Sequence, residues 1–457
     1  MSRFLTRASV ILLLLTLTSC SFAAGSQSEV QTEPFSAEQS TERDDSDTAM
    51  QTDESDTAKQ TGESGTQNSD TAIYKEATLP VTVSGTAQLD EYRTAVYGTC
   101  EPGCVISVRG EDIKPFSVMS DGENFVFEVK LPKVDKSYIY ISAQTEGKAP
   151  SAEVSQRVRY LKGAEDTGVI VTVGSTMVEE KVLSDLYKTD PFTSREMKNI
   201  AGLAQKRLKN VRNVTDKDTE LIYVIVPNPL TVQPELWTED MKSNIQSGKS
   251  RLDQAVQALS GLDGITVIDL SDALTENRSS GKLYYSLDSH WTELGAYFGY
   301  REIMEHIGKE FPAALPHPLT DYDIAYIPIS DTDMTVYSGI GEGKIFEAAP
   351  FLHPEYTPLT KYDKAKDESA RIWNYVNKFF TGTSVTYIDN KELPTGVLLM
   401  DSYGLNTVAF LAEHFSCLAV QPVWKYQLDY SLCRDVAPDY VIQIISERTV
   451  GELLVSE

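Results

Sequence analysis

Residues 396–404, Gly-Val-Leu-Leu-Met-Asp-Ser-Tyr-Gly, place a serine between two patterned segments. The apolar run that ends at Met400 predicts a buried strand, and residues 405–414 predict a helix. A sharp turn from strand to helix exposes the side chain at its tip, and many α/β enzymes present their nucleophile at such a turn. Ser402 is therefore the candidate nucleophile. The alternative is that Ser402 only caps the helix, a role in which serine is favoured.

A serine nucleophile needs a base that takes its proton and a carboxylate that orients this base. Residues 287–291 read Leu-Asp-Ser-His-Trp and supply both groups. In an extended segment, side chains two residues apart point the same way, so Asp288 can orient His290. Alone, this pattern is a weak signal, and a helix cap at Asp288 with a structural histidine at 290 explains it better. Together with the serine turn, it predicts Asp288 as the orienting residue and His290 as the base.

The other four of the five histidines are poorer candidates for the base. His306 lies near the end of a predicted helix, where a cation is favoured by the helix dipole, which predicts a structural role. His317 and His353 each adjoin a proline in loop-like segments. His414 lies at the far end of the helix that Ser402 begins, so we expect it not to reach back.

Residues 163–457 alternate between helical and strand patterns, which predicts an α/β domain. Six strand-like runs predict a parallel sheet: residues 221–226, 265–270, 385–388, 397–400, 417–420 and 440–445. Residues 244–260 and 292–307 are helix-like. Thr193 and Glu196 predict a capping box at the start of a further helix.

Residues 76–162 carry short alternating runs separated by turn signals, which predicts a small all-β, immunoglobulin-like sandwich. Residues 99–105 resemble a turn of bacterial immunoglobulin-like surface modules. Cys100 and Cys104 flank this turn and are candidates for a disulfide. A metal site is disfavoured, because it would need further ligands and the nearby sequence offers none. Cys417 and Cys433 either pair or stay free. The expected role of the module is spacing, with carbohydrate contact as the alternative.

Residues 1–20 have the pattern of a lipoprotein signal peptide. Arg3 and Arg7 precede an apolar core at 10–17 that is short for a membrane helix. Residues 17–20, Leu-Thr-Ser-Cys, resemble a bacterial lipobox, which predicts cleavage before Cys20 and a lipid on its thiol. An ordinary secretory signal is the alternative. We therefore expect an extracytoplasmic protein, anchored by lipid to the bacterial cell membrane.

Residues 21–75 are acidic and polar and contain few large apolar residues, which predicts a disordered linker. The whole chain has 41 Lys and Arg against 67 Asp and Glu, a net charge of −26. This charge argues against nucleic acid as a partner, because a polyanion would be repelled.

Residues 283–297 and 397–403 resemble the two signatures of the DHHW protein family. This family is similar to the alginate O-acetyltransferase group of SGNH-hydrolase-like proteins. The resemblance covers residues 165 to 457 and includes residues 226–229. It implies a three-layer α/β fold of the SGNH-hydrolase type, with Ser402 as nucleophile, His290 as base and Asp288 as orienter. It implies neither a metal nor a dissolved cofactor.

The sequence departs from the family pattern in two places: in the Asp-His-His-Trp motif that gives the family its name, and in the residues expected to form the oxyanion hole. The family residues Asp-His-His-Trp appear here as Asp-Ser-His-Trp, and Met400 takes the place of the glycine before Asp-Ser. The Gly and Asn blocks of ordinary SGNH esterases are not evident. The candidate oxyanion donors are the amides of Ser402 and its followers, with Tyr403 and Asn406 as side-chain candidates.

The expected function is transfer or removal of an acyl group, acetyl in the first place, on a hydroxyl of an envelope or extracellular polysaccharide. A membrane-bound protein that hands over acyl groups is a candidate partner. The alternative is a catalytically inactive protein of the same fold that binds carbohydrate or serves in assembly.

Overall fold

The computed structural model describes residues 76–111, 113–131, 133, 136–362, 384–421 and 427–455. The predicted signal peptide, Cys20 and the linker lie outside these residues. Within the described ranges, no helix is both long enough and apolar enough to cross a membrane.

The N-terminal part consists of two antiparallel sheets, which we call the β-region (residues 82–158). One sheet has the order β1-β2-β5, with β1 (Thr82–Gln88), β2 (Arg93–Thr99) and β5 (Asn124–Lys130). The other has the order β4-β3-β6-β7, with β3 (Val105–Gly110), β4 (Ile113–Met119), β6 (Ser137–Gln144) and β7 (Val154–Val158).

Both sheets of the β-region contribute alternate residues to one apolar core. Val96 and Phe127 come from the first sheet, and Ile106, Ile139 and Ile141 come from the second. The all-β prediction for this segment is therefore confirmed, while the immunoglobulin-like classification stays a prediction. A short hairpin, β8 (Val169–Val171) and β9 (Met177–Glu179), follows the β-region.

The central sheet of the C-terminal part has the order β11-β10-β18-β16-β17-β15-β14. Its strands are β10 (Glu220–Val226), β11 (Ile265–Asp269), β14 (Lys361–Tyr362), β15 (Ser384–Tyr387), β16 (Thr395–Met400), β17 (Cys417–Val420) and β18 (Tyr440–Ser446). The first five strands in this order are mutually parallel. A separate antiparallel ribbon is formed by β12 (Tyr322–Ile329) and β13 (Glu347–Pro354).

The prediction of a wholly parallel sheet is wrong at one edge, because β15 pairs antiparallel with β17 and β14 pairs antiparallel with β15. The physical reason is the short link from Tyr387 to Thr395. A connection between parallel strands needs a crossover of a dozen or more residues, and this link is shorter. The end of β15 must therefore lie at the same end of the sheet as the start of β16, so the two strands run in opposite directions.

Helices cover both faces of the central sheet. The α-helices described after the β-region are α1 (Val182–Tyr187), α2 (Ser194–Thr215), α3 (Pro229–Val232), α4 (Glu239–Asn244), α5 (Arg251–Leu259), α6 (Ser271–Glu276), α7 (Glu293–Ile307), α8 (Asp333–Tyr337), α9 (Val408–Ala412) and α10 (Tyr430–Val436). Ile222 and Val224 of β10 pack with α7 on one face. Leu221 and Tyr223 pack with α2 and α5 on the other. Alternate residues of one strand thus enter two separate cores, which gives three layers.

The helix starts follow local capping chemistry. Thr193 and Glu196 form the predicted capping box of α2. The single helix expected over 244–260 is wrong, because α4 ends at Asn244 and α5 begins after Ser250, which forms its own capping box with Asp253. Gly248 between them has a φ of +123°, a conformation that no helix contains.

Candidate active site

The segment 282–292, which we call the Asp-His loop, folds back on itself. Tyr284 and Trp291 form an antiparallel bridge, and the Tyr285 amide donates to the His290 carbonyl at 3.2 Å. The tip of the loop presents residues 288–290. Thr292 closes the loop and caps α7, since its hydroxyl accepts from the Gly295 amide at 3.3 Å. The helix cap is therefore Thr292, and Asp288 is not needed for that role.

Ser402 follows β16 and begins a 3-10 helix, Ser402–Thr407. The N-cap is Asp401, whose Oδ1 accepts from the Tyr403 amide at 3.0 Å. Its Oδ2 accepts from the amide of Ser446, at the end of β18, at 2.7 Å. The buried Asp401 carboxylate thus ties the serine turn to the neighbouring strand. Because Asp401 caps this helix, the Ser402 hydroxyl is not occupied in capping.

The structure brings the three predicted residues into one hydrogen-bonded chain. His290 Nε2 lies 2.8 Å from Ser402 Oγ, and His290 Nδ1 lies 2.7 Å from Asp288 Oδ1. Since a carboxylate only accepts, Nδ1 carries the proton and Nε2 is left to accept from the serine hydroxyl. The His290 and Asp288 side chains are 18% and 19% exposed, so this chain of contacts is partly accessible to solvent.

The site lies where the parallel strands of the central sheet end, since β16 leads into Ser402 and β18 leads into Ser446. This edge is where α/β folds bind ligands. A cavity of about 520 Å³ lies at the opposite edge, beside Thr395 and Asp439, where β16 and β18 begin. The chemistry and this cavity are therefore at different ends of the sheet.

Asp288 and His290 each shift the pKa of the other in the direction that favours the charged forms. Burial by itself would raise the pKa of Asp288, but the neighbouring His290 outweighs this, and the pKa is lowered from its ordinary value. Burial by itself would lower the pKa of His290, but Asp288 outweighs it, and the pKa is raised above its ordinary value. The pair therefore favours an imidazole that accepts a proton readily.

Asp333 is a second carboxylate of the site, and sequence reasoning missed it. As the first residue of α8, it accepts from the Ser289 amide at 2.8 Å and from the Ser289 hydroxyl at 2.5 Å. Its Oδ2 lies 3.8 Å from His290 Nδ1. Burial, followed by the charge of Asp288, raises the pKa of Asp333 to about 7. Ser289, which stands where the family name has a histidine, is thus the hydrogen-bond partner of this carboxylate.

Arg448 was also missed, because it lies far from both motifs in the chain. Its Nη1 donates to Glu179 Oε2 at 2.6 Å and to the Ser289 carbonyl at 3.1 Å. The guanidinium carbon lies 5.0 Å from the centre of the Tyr403 ring, within cation–π range. Arg448 therefore connects β9, the Asp-His loop and the serine turn.

The two side chains proposed as oxyanion donors are engaged elsewhere, so the structure gives that prediction no support. The buried Tyr403 hydroxyl donates to the Ser289 carbonyl at 2.6 Å. Asn406 Nδ2 donates to the Trp291 carbonyl at 3.1 Å. Both groups, like the Trp291 indole that donates to the Tyr403 carbonyl at 2.8 Å, bind the serine turn to the Asp-His loop.

Residues 226–229 reach the same edge of the sheet. The Pro227 carbonyl accepts from the Tyr284 hydroxyl at 2.7 Å, and the buried Asn228 amide donates to Glu447 Oε2 at 2.7 Å. Asn228 Nδ2 lies 3.3 Å from Asp185 Oδ2. These contacts give the motif a structural role in holding the loops around the site.

The remaining histidines have the separate locations that elimination predicted. His414 is buried with its Nε2 2.6 Å from the Tyr300 hydroxyl, and burial lowers its pKa to about 3. His306 Nε2 lies 2.9 Å from Glu220 Oε1, and the His317 ring stacks on Tyr356 with 4.1 Å between ring centres. His353 is exposed on β13.

The described cysteines, Cys100, Cys104, Cys417 and Cys433, carry free thiols in the structure. Burial, followed by the neighbouring Cys104, raises the pKa of Cys100 to about 12. The two thiols are therefore neighbours, and the disulfide between them stays a prediction.

Asp288, His290 and Asp333 are the group, among the described residues, that could hold a metal ion, with ligand atoms within 4.8 Å of one another. Two carboxylates and an imidazole are a plausible donor set. Both imidazole nitrogens already have hydrogen-bond partners, however, in Asp288 and Ser402. The contacts thus fit a proton-transfer chain as they stand.

The raised pKa of His290 predicts the pH dependence of any reaction that uses it as a base. His290 must be neutral to accept a proton, so kcat/KM should fall as the pH drops through a midpoint above 6.5, the ordinary value for the imidazole. In Asp288→Asn, the group that contributes most to raising this pKa is gone, and the His290 pKa measured by NMR should shift downward. An unchanged pKa would contradict the interaction between the two side chains.

Comparison with known proteins shows a likeness over part of the chain. Residues 186–389 match the family model ALGX, described as the SGNH hydrolase-like domain of the acetyltransferase AlgX. The match includes Asp288 and His290 and ends before Ser402. No curated protein matches the chain.

Three solved structures illustrate the likeness. A DHHW family protein from Eubacterium siraeum shares 14% identity over 64% of this chain and 97% of that one, with a TM-score of 0.44. Bacillus cereus PatB1 shares 15% identity over 57% and 93%, with a TM-score of 0.41. Pseudomonas aeruginosa AlgX shares 13% identity over 63% and 65%, with a TM-score of 0.39. The family model confirms the resemblance predicted from the sequence for residues 186–389, which are similar to the SGNH hydrolase-like domain of the acetyltransferase AlgX.

Proposed function

We propose that this chain transfers or removes an acyl group, acetyl in the first place, on hydroxyls of an envelope or extracellular polysaccharide. The observation that carries the proposal is the chain of contacts from Ser402 through His290 to Asp288, at 2.8 and 2.7 Å. These distances are within hydrogen-bond reach, as a nucleophile, its base and an orienting carboxylate require. The match to an acetyltransferase domain supports acetyl as the group transferred.

In the first half of the reaction, His290 Nε2 takes the proton of the Ser402 hydroxyl while Oγ forms a bond to the carbonyl carbon of the donor ester. The bond from that carbon to the donor oxygen then breaks, and His290 returns the proton to this oxygen. The Asp288 carboxylate stabilises the imidazolium that exists between these two transfers. Ser402 now carries the acyl group as an ester.

In the second half, a sugar hydroxyl or water replaces the donor. His290 Nε2 takes its proton, the oxygen attacks the acyl carbon, and the bond to Ser402 Oγ breaks. The proton moves from His290 to Oγ, which restores the serine. A sugar hydroxyl as acceptor gives transfer, and water gives hydrolysis.

We assign stabilisation of the developing oxyanion to the amide of Ser402, at the N-terminus of the 3-10 helix. The following amides are poorer donors because both are engaged by Asp401. The Tyr403 amide donates to Asp401 Oδ1 at 3.0 Å, and the Gly404 amide donates to the Asp401 carbonyl at 3.1 Å. This assignment narrows the set of donors expected from the sequence.

We also propose that the chain acts outside the cytoplasm, anchored through a lipid on Cys20, with the acyl group supplied by a membrane-bound partner. The supporting observations are the lipobox-like residues 17–20 and the acidic, polar tract at 21–75, which would serve as a spacer.

An acyl-enzyme experiment tests the reaction. Mixing the protein with an activated acetyl ester should give an initial burst of product and a mass increase of one acetyl group on the peptide that contains Ser402. Addition of oligosaccharide acceptors should then divide the acetyl groups between sugar and free acetate, which separates transferase from esterase. A parallel assay after dialysis against a chelator should give the same rates, because the proposed steps use no metal. Absence of both a burst and an adduct would contradict the proposal.

A further inference from the structure

The turn between β4 and β5 of the β-region is fixed in place. Asp121 pairs with Asn124 across this turn, with its amide donating to the Asn124 carbonyl at 2.8 Å. The Met119 amide just before it donates to the Val173 carbonyl at 2.8 Å, and the Ser175 hydroxyl donates to the Met119 carbonyl at 2.6 Å. The turn is therefore attached to the β8–β9 hairpin and has little freedom to move.

Asp121 reaches from this turn to the Asp-His loop. Lys282, the first residue of that loop, has its Nζ 2.7 Å from Asp121 Oδ2 and 2.7 Å from Glu347 Oε2. The side chains are 17% exposed for Lys282, 29% for Asp121 and 0% for Glu347. Ion pairs that are this well shielded are screened far less by salt and water than pairs at the surface.

Glu347 in turn holds the backbone that leads to Asp288. Its carboxylate accepts from the amides of Ser286 at 2.7 Å and Leu287 at 2.8 Å. The Ser286 carbonyl accepts from the Met177 amide of β9 at 2.7 Å. The residues immediately before Asp288 are thus bound on both sides.

The other end of the Asp-His loop is fastened to Lys282 as well. The Thr292 hydroxyl donates to the Lys282 carbonyl at 2.7 Å, just after His290 and just before α7. A displacement of Lys282 would therefore move the backbone on both sides of residues 288–290.

Apolar packing joins the same parts. Leu287 is 2% exposed and belongs to a core cluster that includes Ala95, Tyr97 and Val126 of the β-region. Met334, which follows Asp333 in α8, is a member of the same cluster. Residues adjacent to both carboxylates of the site, Asp288 and Asp333, thus pack against the β-region.

We propose that the β-region is a positioning element of the acyl-transfer site, and that Asp121 holds the Asp-His loop through Lys282 and Glu347. This inference rests on the proposed function of Ser402, and it assigns the β-region a part in the reaction beyond spacing. Asp121 touches neither the reacting atoms nor His290, so its effect is on geometry: it sets where His290 Nε2 lies relative to Ser402 Oγ.

The test compares two carboxylates of the β-region in the full-length protein. Asp121→Asn removes the charge that faces Lys282, and Asp121→Lys places a like charge beside it. Glu153→Gln and Glu153→Lys are the matched controls, because Glu153 forms an ion pair with Arg109 that is exposed and lies within the β-region. Thermal unfolding of each variant establishes that it is folded.

With an acetyl ester, we expect kcat to fall about tenfold in Asp121→Asn and about 100-fold in Asp121→Lys, with KM little changed, because displacements of about 1 Å at a catalytic group have effects of this size. Both Glu153 variants should stay within about twofold of the unchanged protein. Equal rates for the Asp121 and Glu153 variants would overturn the inference and leave the acyl-transfer proposal intact.

Hydrogen exchange separates this inference from the proposed function. The amides of Ser286 and Leu287 are protected by Glu347, and they should exchange at least about tenfold faster in Asp121→Lys than in Glu153→Lys. This readout needs no turnover, so it decides the positioning role even if the unchanged protein shows no acyl transfer. Equal exchange at both amides would overturn the inference.

Discussion

Ser402→Ala is expected to reduce kcat/KM for an acetyl ester by about 10⁵-fold or more, because no acyl-serine forms without Oγ. The fold should be unaffected, since the Ser402 hydroxyl does not cap its helix and Asp401 does. The measurement is turnover of a fluorogenic acetyl ester, together with covalent labelling by a sulfonyl fluoride. Both signals should disappear in the variant.

Ser243→Ala is the matched control for this substitution. Ser243 is exposed, and its hydroxyl donates to the Asp240 carbonyl within α4. Its replacement should leave turnover and labelling at the level of the unchanged protein. Retention of more than one-tenth of the turnover in Ser402→Ala would exclude Ser402 as the nucleophile.

His290→Gln is expected to reduce kcat/KM by about 10⁴-fold or more, because the amide can hydrogen-bond to Ser402 Oγ but cannot take its proton. Labelling of Ser402 by the sulfonyl fluoride should slow in parallel, since the same proton must leave. Combined with Ser402→Ala, the substitution should cost almost nothing further, because residues that act as one unit are not additive.

His353→Gln is the control for the histidine. His353 is exposed on β13, opposite Asp323 of β12. Its replacement should change kcat/KM by less than about twofold. If His353→Gln and His290→Gln had similar effects, the base would have to be sought elsewhere, and the 2.8 Å contact between His290 and Ser402 would be only structural.

The local features of the site were predictable because they depend on neighbours in the chain. The buried strand before Met400, the turn at Ser402 and the helix after Thr292 each follow from apolar periodicity and capping chemistry within a few residues. The Asp-x-His spacing was informative for the same reason, because the contact that it predicts is local: Asp288 Oδ1 accepts from both the amide and the ring of His290, two residues away.

The parts that escaped prediction depend on residues far apart in the chain. Asp333 and Arg448 reach the Asp-His loop across 44 and 159 positions, and Lys282 meets Asp121 across 161. No periodicity or spacing encodes such contacts, since they arise only when strands and helices pack. The hydrogen bonds from Tyr403 to Ser289 and from Asn406 to Trp291 escaped for the same reason, since they span 114 and 115 positions.

The sequence by itself therefore determined the α/β pattern, the residue types of the proposed triad and the one histidine suited to be its base. Only the tertiary structure decided that these groups meet, which hydrogen bonds hold them and that the β-region packs against them. The physical reason is the distance along the chain over which each effect acts. Propensity, capping and alternation depend on residues within one or two turns of one another. The burial of Leu287 and the ion pairs of Lys282 form only when distant segments pack together and exclude water.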